Sequence, residues 1–222
     1  MIESLVTGPV AAADAFDDRV AAPLHPVEAA VVARSVPERR REFATVRLCA
    51  RRALARLGLP YEPLVPDGRG APQWPRGVVG SMTHTAGYRA AAVARASDVV
   101  SLGIDAEPDR PLGGGVLGTI ALPQERRAVA ALAARRPDVN WDRVLFSAKE
   151  SVFKTWYPLT RRELDFDEAV VAIEPETGRF TARLLAEGPA ALGPRPDPLV
   201  GRWLSRYGVI VTGVTVPAGP QR

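Results

Sequence analysis

Between Pro37 and Leu57 the apolar residues Phe43, Val46, Ala50, Leu54 and Leu57 recur at spacings of three and four. That is one stripe of an amphipathic helix. Gly58 supplies its C-cap and Pro60 prevents its continuation. A loop is expected from Pro60 to Gly77, with Asp67-Gly68-Arg69-Gly70 as its tight turn. Short extended runs follow at Val78 to Thr83, Tyr88 to Ala94 and Val99 to Ile104. Gly113-Gly114-Gly115 interrupts the chain before two further helical segments, Pro123 to Arg135 and Asp138 to Tyr157, the second stopped by Pro158. The tail alternates apolar and polar residues at Ala169–Glu174, Phe180–Leu185, Arg202–Tyr207 and Val209–Val216, which predicts an antiparallel sheet. Residues 1–25 show no clean period and are read as mixed, closing in a loop around Pro23 and Pro26. Strands and helices cluster rather than alternate, so the class is α+β.

Composition narrows the reading. With 222 residues, 46% hydrophobic and 24% charged, the chain has enough apolar surface for a core and is not a disordered segment. One cysteine, Cys49, excludes a disulfide framework and a cysteine zinc site, and two histidines exclude a His-rich metal site. No apolar run is long enough for a membrane span, and the first residues lack a basic region followed by an apolar one, so a cytoplasmic location is expected. The net charge is +4, enough to favour an acidic partner. Its make-up is more informative: 27 of the 29 basic residues are arginine, and the two lysines, Lys149 and Lys154, lie five apart.

Three groups of residues carry chemistry. Asp105 and Glu107 stand at i and i+2 where an apolar strand ends, so both carboxylates point to one side and suit Mg²⁺. The plain alternative is a solvated acidic strand end. Glu150 and Lys154 stand at i,i+4 on a helix with Phe146, Phe153 and Trp156; the alternative is a surface ion pair. His84, in Ser81-Met82-Thr83-His84-Thr85, sits among hydroxyls and next to Gly80 and Gly87. With Arg39, Arg47 and Arg69 it would make a phosphate cluster; alone it is an ordinary surface histidine. Arg40, Arg47 and Arg51 share one face of the first long helix, whose alternative reading is a solvated basic face. Neither a P-loop, a Rossmann fingerprint nor a G-x-S-x-G elbow occurs.

Three strings in order, Val79-Gly80-Ser81-Met82-Thr83-His84, Gly103-Ile104-Asp105-Ala106-Glu107 and Phe146-Ser147-Ala148-Lys149-Glu150-Ser151-Val152-Phe153-Lys154, resemble the surfactin/enterobactin-type 4′-phosphopantetheinyl transferases. The last string resembles the F/KES subgroup, and Arg34 to Gly58 resembles the family's N-terminal arginine helix. The resemblance implies two similar α+β halves, 1–102 and 103–222, with the active site at their junction, in a monomer. It implies transfer of phosphopantetheine from coenzyme A to a serine of an acyl or peptidyl carrier protein in fatty-acid, polyketide or nonribosomal-peptide synthesis, with adenosine 3′,5′-bisphosphate released. Asp105, Glu107 and Glu150 match the family's Mg²⁺ positions, and Ala106 would contribute only its carbonyl. Arg39, Arg47, Thr83 and His84 match positions that hold coenzyme A, with Asp105, Glu150 and Lys154 beside them. Where relatives carry phosphate-loop lysines this chain has Pro66 and Arg69, and Arg69 takes a lysine's place.

The implied nucleophile belongs to the partner, which accounts for the absence of an enzymic one. Glu150 is the candidate base and Lys154 the group that stabilises or protonates the leaving oxygen. Two other classes remain open at this stage. One is a coenzyme A or nucleotide-binding module without catalysis. The other is a basic nucleic-acid-binding protein, which leaves both lysines and the D-x-E unexplained.

Overall fold

A computed structural model describes residues 1–20, 22–189 and 198–219. Strands β1 (Val10–Ala15), β2 (Val78–Thr85) and β3 (Tyr88–Arg95) form an antiparallel sheet in the order β1-β3-β2. Strands β4 (Val99–Pro108), β5 (Ala169–Glu174), β6 (Arg179–Leu184), β7 (Leu199–Arg206) and β8 (Val209–Pro217) form a second, in the order β4-β8-β7-β6-β5. Helices α1 (Pro26–Val31), α2 (Pro37–Arg56), α3 (Val116–Ile120), α4 (Pro123–Arg135) and α5 (Trp141–Thr160) complete the α+β chain.

Each sheet is covered by one long helix. The α2 stripe of Phe43, Val46, Ala50 and Leu54 is buried, and Cys49, Ala50 and Ala53 pack against Ala91 and Val93 of β3. β3 is buried on both faces from Tyr88 to Ala94, and its alanines let layers approach from each side. Helix α5 lays Trp141, Val144, Leu145, Ala148 and Val152 on the second sheet. There Gly103 of β4 touches the helix backbone: a Cβ would collide with the Ser151 carbonyl and with Thr155.

The two sheets are stitched by side chains. Ser81 and Thr83 of β2 accept from the backbone N–H groups of Ile104 (3.1 Å) and Ala106 (3.0 Å) in β4. Two hydroxyls thereby satisfy buried donors that no neighbouring strand reaches.

Several boundaries differ from expectation. β1 is a strand although its sequence, Val-Ala-Ala-Ala-Asp-Ala, lacks β-branched alternation. Pro26 begins α1 instead of sitting in a loop, because proline suits the first helical turn and His25 caps it. β4 runs on to Pro108, so Asp105 and Glu107 lie inside the strand rather than at its end. α5 starts at Trp141, not Asp138, and passes Pro158 to end at Thr160, followed by Arg161 at φ 56°. Pro158 is two residues from that end, so its missing N–H leaves only the Lys154 carbonyl without a helical donor. No described helix is long and apolar enough to cross a membrane.

A candidate active site between the two sheets

A cavity of about 420 Å³ opens between α2, the end of β2 and β4. Its lining includes Arg39, Arg47, Thr83, His84, Asp105, Ala106, Glu107 and Lys154, residues far apart in sequence. Asp105 is its centre. Buried at 4% exposure, it accepts from Lys154 Nζ (2.7 Å), Ser147 Oγ (2.9 Å) and Thr83 Oγ1 (3.5 Å). The expected partner of Lys154 was Glu150, one helical turn away; the ammonium instead crosses to β4. Glu107, on the same side of the strand, is held by Arg143 Nη1 at 2.8 Å.

The cationic wall is built by α2 and β2. Arg39 Nη1 lies 2.6 Å from His84 Nε2, so the imidazole accepts there and is neutral. Burial, then the Arg39 charge, hold His84 below its ordinary value, opposed by Glu42, with Arg89 and Lys154 adding to the depression. Arg47 is 7% exposed, and burial brings its guanidinium down to about 10 against the support of Glu28. Three other arginines of α2 are engaged within the chain: Arg40 donates to the Ser35 and Ala33 carbonyls, Arg51 faces Glu28, and Arg56 pairs with Glu3.

Two predicted residues lie elsewhere. Arg69 pairs with Glu163 and does not line this cavity. Glu150 lines a neighbouring cavity of about 220 Å³ with Lys149, Phe153, Glu163, Leu164, Asp165, Phe166 and Ala169. It is still coupled to the first: burial raises its pKa above the ordinary 4.5, then Asp105 does, with Lys154 opposing and Glu107 adding. Glu107 is raised by burial and by Asp105, against Arg143 and Lys154. Among the described residues no three His, Cys, Asp or Glu side chains stand as a ready metal cage. The donor set nevertheless fits Mg²⁺, which asks for hard oxygen ligands and usually meets one or two carboxylates, waters and substrate phosphates rather than a protein cage.

The chain's own relatives bear on this arrangement. Residues 27–94 match the model of the 4′-phosphopantetheinyl transferase N-terminal domain, and residues 101–192 that of the 4′-phosphopantetheinyl transferase superfamily. The chain belongs to this superfamily. It is 64% identical over 208 residues to 4′-phosphopantetheinyl transferase Svp of Streptomyces mobaraensis, a match spanning 93% of this chain and 84% of the relative. Over 196 residues it is 47% identical to the transferase PptT of Mycobacterium tuberculosis, covering 86% and 85% of the two chains. The transferase Npt of Nocardia iowensis is 43% identical over 222 residues, covering 96% of this chain and 99% of its own.

In this transferase the sequence alone did not single out Ser147, Arg143 or Glu42. A signal for Ser147 existed: it lies three before Glu150 and seven before Lys154, on one helix face. Arg143 and Glu42 carried none, since both read as ordinary surface charges.

The neutral imidazole gives a pH prediction. A phosphate placed against His84 favours its protonated form, so binding takes up a proton and strengthens as pH falls towards the depressed value. The KM for coenzyme A should fall as pH is lowered from neutrality towards that depressed value, and His84→Gln should flatten that profile. Parallel profiles for the two proteins would remove His84 from the phosphate contacts.

Proposed function

We propose that this transferase takes phosphopantetheine from coenzyme A and delivers it to a serine of an acyl or peptidyl carrier protein. The observation that supports this most directly is the single cavity in which Arg39, Arg47 and His84 face Asp105, Glu107 and Lys154. Coenzyme A carries a pyrophosphate and a 3′-phosphate, and guanidinium forks with an imidazole match phosphate oxygens. The pantetheine arm is thin and uncharged, which suits the adjoining cavity walled by Phe153, Leu164 and Phe166. Arg69, paired with Glu163 of that wall and next to Gly70 of the first cavity, stands where the two meet.

Asp105, Glu107 and Glu150 would hold Mg²⁺, with Ala106 adjoining through its carbonyl. When bound, the ion supplies charge neutralisation on the pyrophosphate. The carrier serine oxygen forms a bond to the phosphorus that bears the pantetheine, and the bond from that phosphorus to the bridging oxygen breaks. Glu150 is the group that takes the serine proton, directly or through a water. Lys154 faces the leaving oxygen, which departs with adenosine 3′,5′-bisphosphate. The net charge of +4 suits an acidic partner and acts chiefly on the encounter rate.

We read the chain as a cytoplasmic monomer in two halves, 1–102 and 103–222. The division into two sheets supports two halves, but it falls a few residues earlier than 102, since one sheet is drawn wholly from residues before 96 and β4 of the other begins at Val99. The test is intact-mass analysis of apo carrier proteins incubated with coenzyme A, with and without Mg²⁺. A gain of one phosphopantetheine on the serine, dependent on the metal, is expected; unmodified carriers across all classes would overturn the reading.

A further inference from the structure

Glu28 does not line either cavity, yet it is fully buried at 0% exposure in the six-residue helix α1. Every group that meets its carboxylate is a donor. Oε1 accepts from the Leu64 N–H at 3.0 Å and from the Tyr61 hydroxyl. Oε2 accepts from the His25 N–H at 3.0 Å, closing the cap of α1, and lies 3.7 Å from Arg51 Nη2. A helix this short does not hold itself. The carboxylate therefore ties α1 to the loop after α2 and to α2 itself, and the end of α1, with Val31 and the next residue Val32, lines the large cavity.

The loop end of this tie leads to the phosphate wall. Leu64 is buried at 0%, and its N–H is engaged by Glu28. Its carbonyl accepts from Arg47 Nη2 at 3.2 Å. Arg47 is otherwise held by the Phe43 ring, 3.4 Å from the guanidinium carbon, and its Nε is buried without a partner. One residue, Leu64, whose N–H and C=O belong to successive peptide units, thus stands between the Glu28 carboxylate and the hydrogen bond that aims Arg47.

We infer that Glu28 is a positioning residue for coenzyme A, fixing Arg47 through Leu64; this rests on the reading that Arg47 meets the phosphates. The role requires a carboxylate. Glutamine would turn an amide NH₂ towards either the Leu64 N–H or the His25 N–H, donor against donor, and would remove the negative charge facing Arg47 and Arg51.

The experiment compares wild type, Glu28→Gln, Arg47→Ala and the double variant, reading kcat and KM in transfer and coenzyme A affinity by calorimetry. Glu28→Gln should raise KM and Kd about tenfold, as for one lost charge-assisted contact, with kcat at saturating coenzyme A within about twofold of wild type. In the Arg47→Ala background the same change should add less than about twofold, because its route is already cut. An unchanged affinity, or a full tenfold loss that adds to that of Arg47→Ala, overturns the proposal while leaving the transferase reading intact. A wild-type protein that bound no coenzyme A would defeat that reading instead. Should Glu28→Gln not fold by circular dichroism, Tyr61→Phe decides: it removes one donor and keeps the charge. A KM rise of about threefold, absent in the Arg47→Ala background, supports the proposal, and no rise overturns it.

Discussion

Glu150→Gln is expected to slow phosphopantetheine transfer by about 10²- to 10⁴-fold, the range for a lost acid–base group, and at the same time to raise the melting temperature. The second half follows from the electrostatics. Burial and the charges of Asp105 and Glu107 raise the folded-state pKa of Glu150 above 4.5, so its ionised form is less favourable in the native chain than in the unfolded one. Stability is lost as pH rises through that window, and the neutral amide avoids the loss. Among the described residues the Glu150 side chain has no hydrogen-bond partner in the chain, so its replacement strands nothing. The increase should appear near pH 8 and vanish at pH values below 4.5. Magnesium chloride added to the free protein should raise the melting temperature of wild type more than that of the variant. A variant less stable than wild type at pH 8 would show that the carboxylate is not held among like charges.

The two lysines should fail in opposite ways. Lys149 is 4% exposed, and its ammonium bonds Glu125 (2.9 Å), the Ala169 carbonyl (2.9 Å) and the Phe166 carbonyl. Burial lowers its pKa in spite of Glu125. Lys149 is thus the anchor joining α4, α5 and β5. Lys149→Met, which leaves the Glu125 carboxylate buried and short of its cation, should cost about 3–5 kcal/mol in urea unfolding. Lys149→Arg crowds a filled site and should cost about 1–3 kcal/mol. Lys154→Arg, by contrast, should unfold like wild type and bind coenzyme A, yet transfer about 10²-fold more slowly in single turnovers. A planar fork would pair bidentately with Asp105, where the ammonium makes one bond and keeps two donors free. Equal unfolding midpoints for Lys149→Met and wild type would refute the first half; a wild-type rate for Lys154→Arg, the second.

What the chain disclosed in one dimension depended on whether its signals were local. The α2 stripe, the turn around Gly68 and the three ordered strings could all be read from spacing. The convergence of Arg39, Arg47 and His84 on Asp105 could be expected only through the family resemblance, since no periodicity relates positions so far apart. Three features gave misleading local signals or none. Alanine-rich β1 offers no alternation because its faces need small residues. Pro26 reads as a breaker until its N-terminal place is known. Glu28 carries no signal in the sequence, although its carboxylate meets donors from its own N-cap, from the loop after α2 and from α2 itself. The i,i+4 spacing from Glu150 separated Lys154 from Lys149 in the sequence, but only the packing shows that Lys149 is an anchor and that Lys154 turns to Asp105 instead of Glu150.

The contact at Gly103 also bears on how this enzyme can change. Because the β4 and α5 backbones touch there, with no side chain between them, the distance from Asp105 to Lys154 contains no adjustable spacer. Libraries aimed at new donors or acceptors would find that interval closed to variation. Broadened specificity has to be written in the segments 66–72 and 163–166, which border the two cavities and leave that seam untouched.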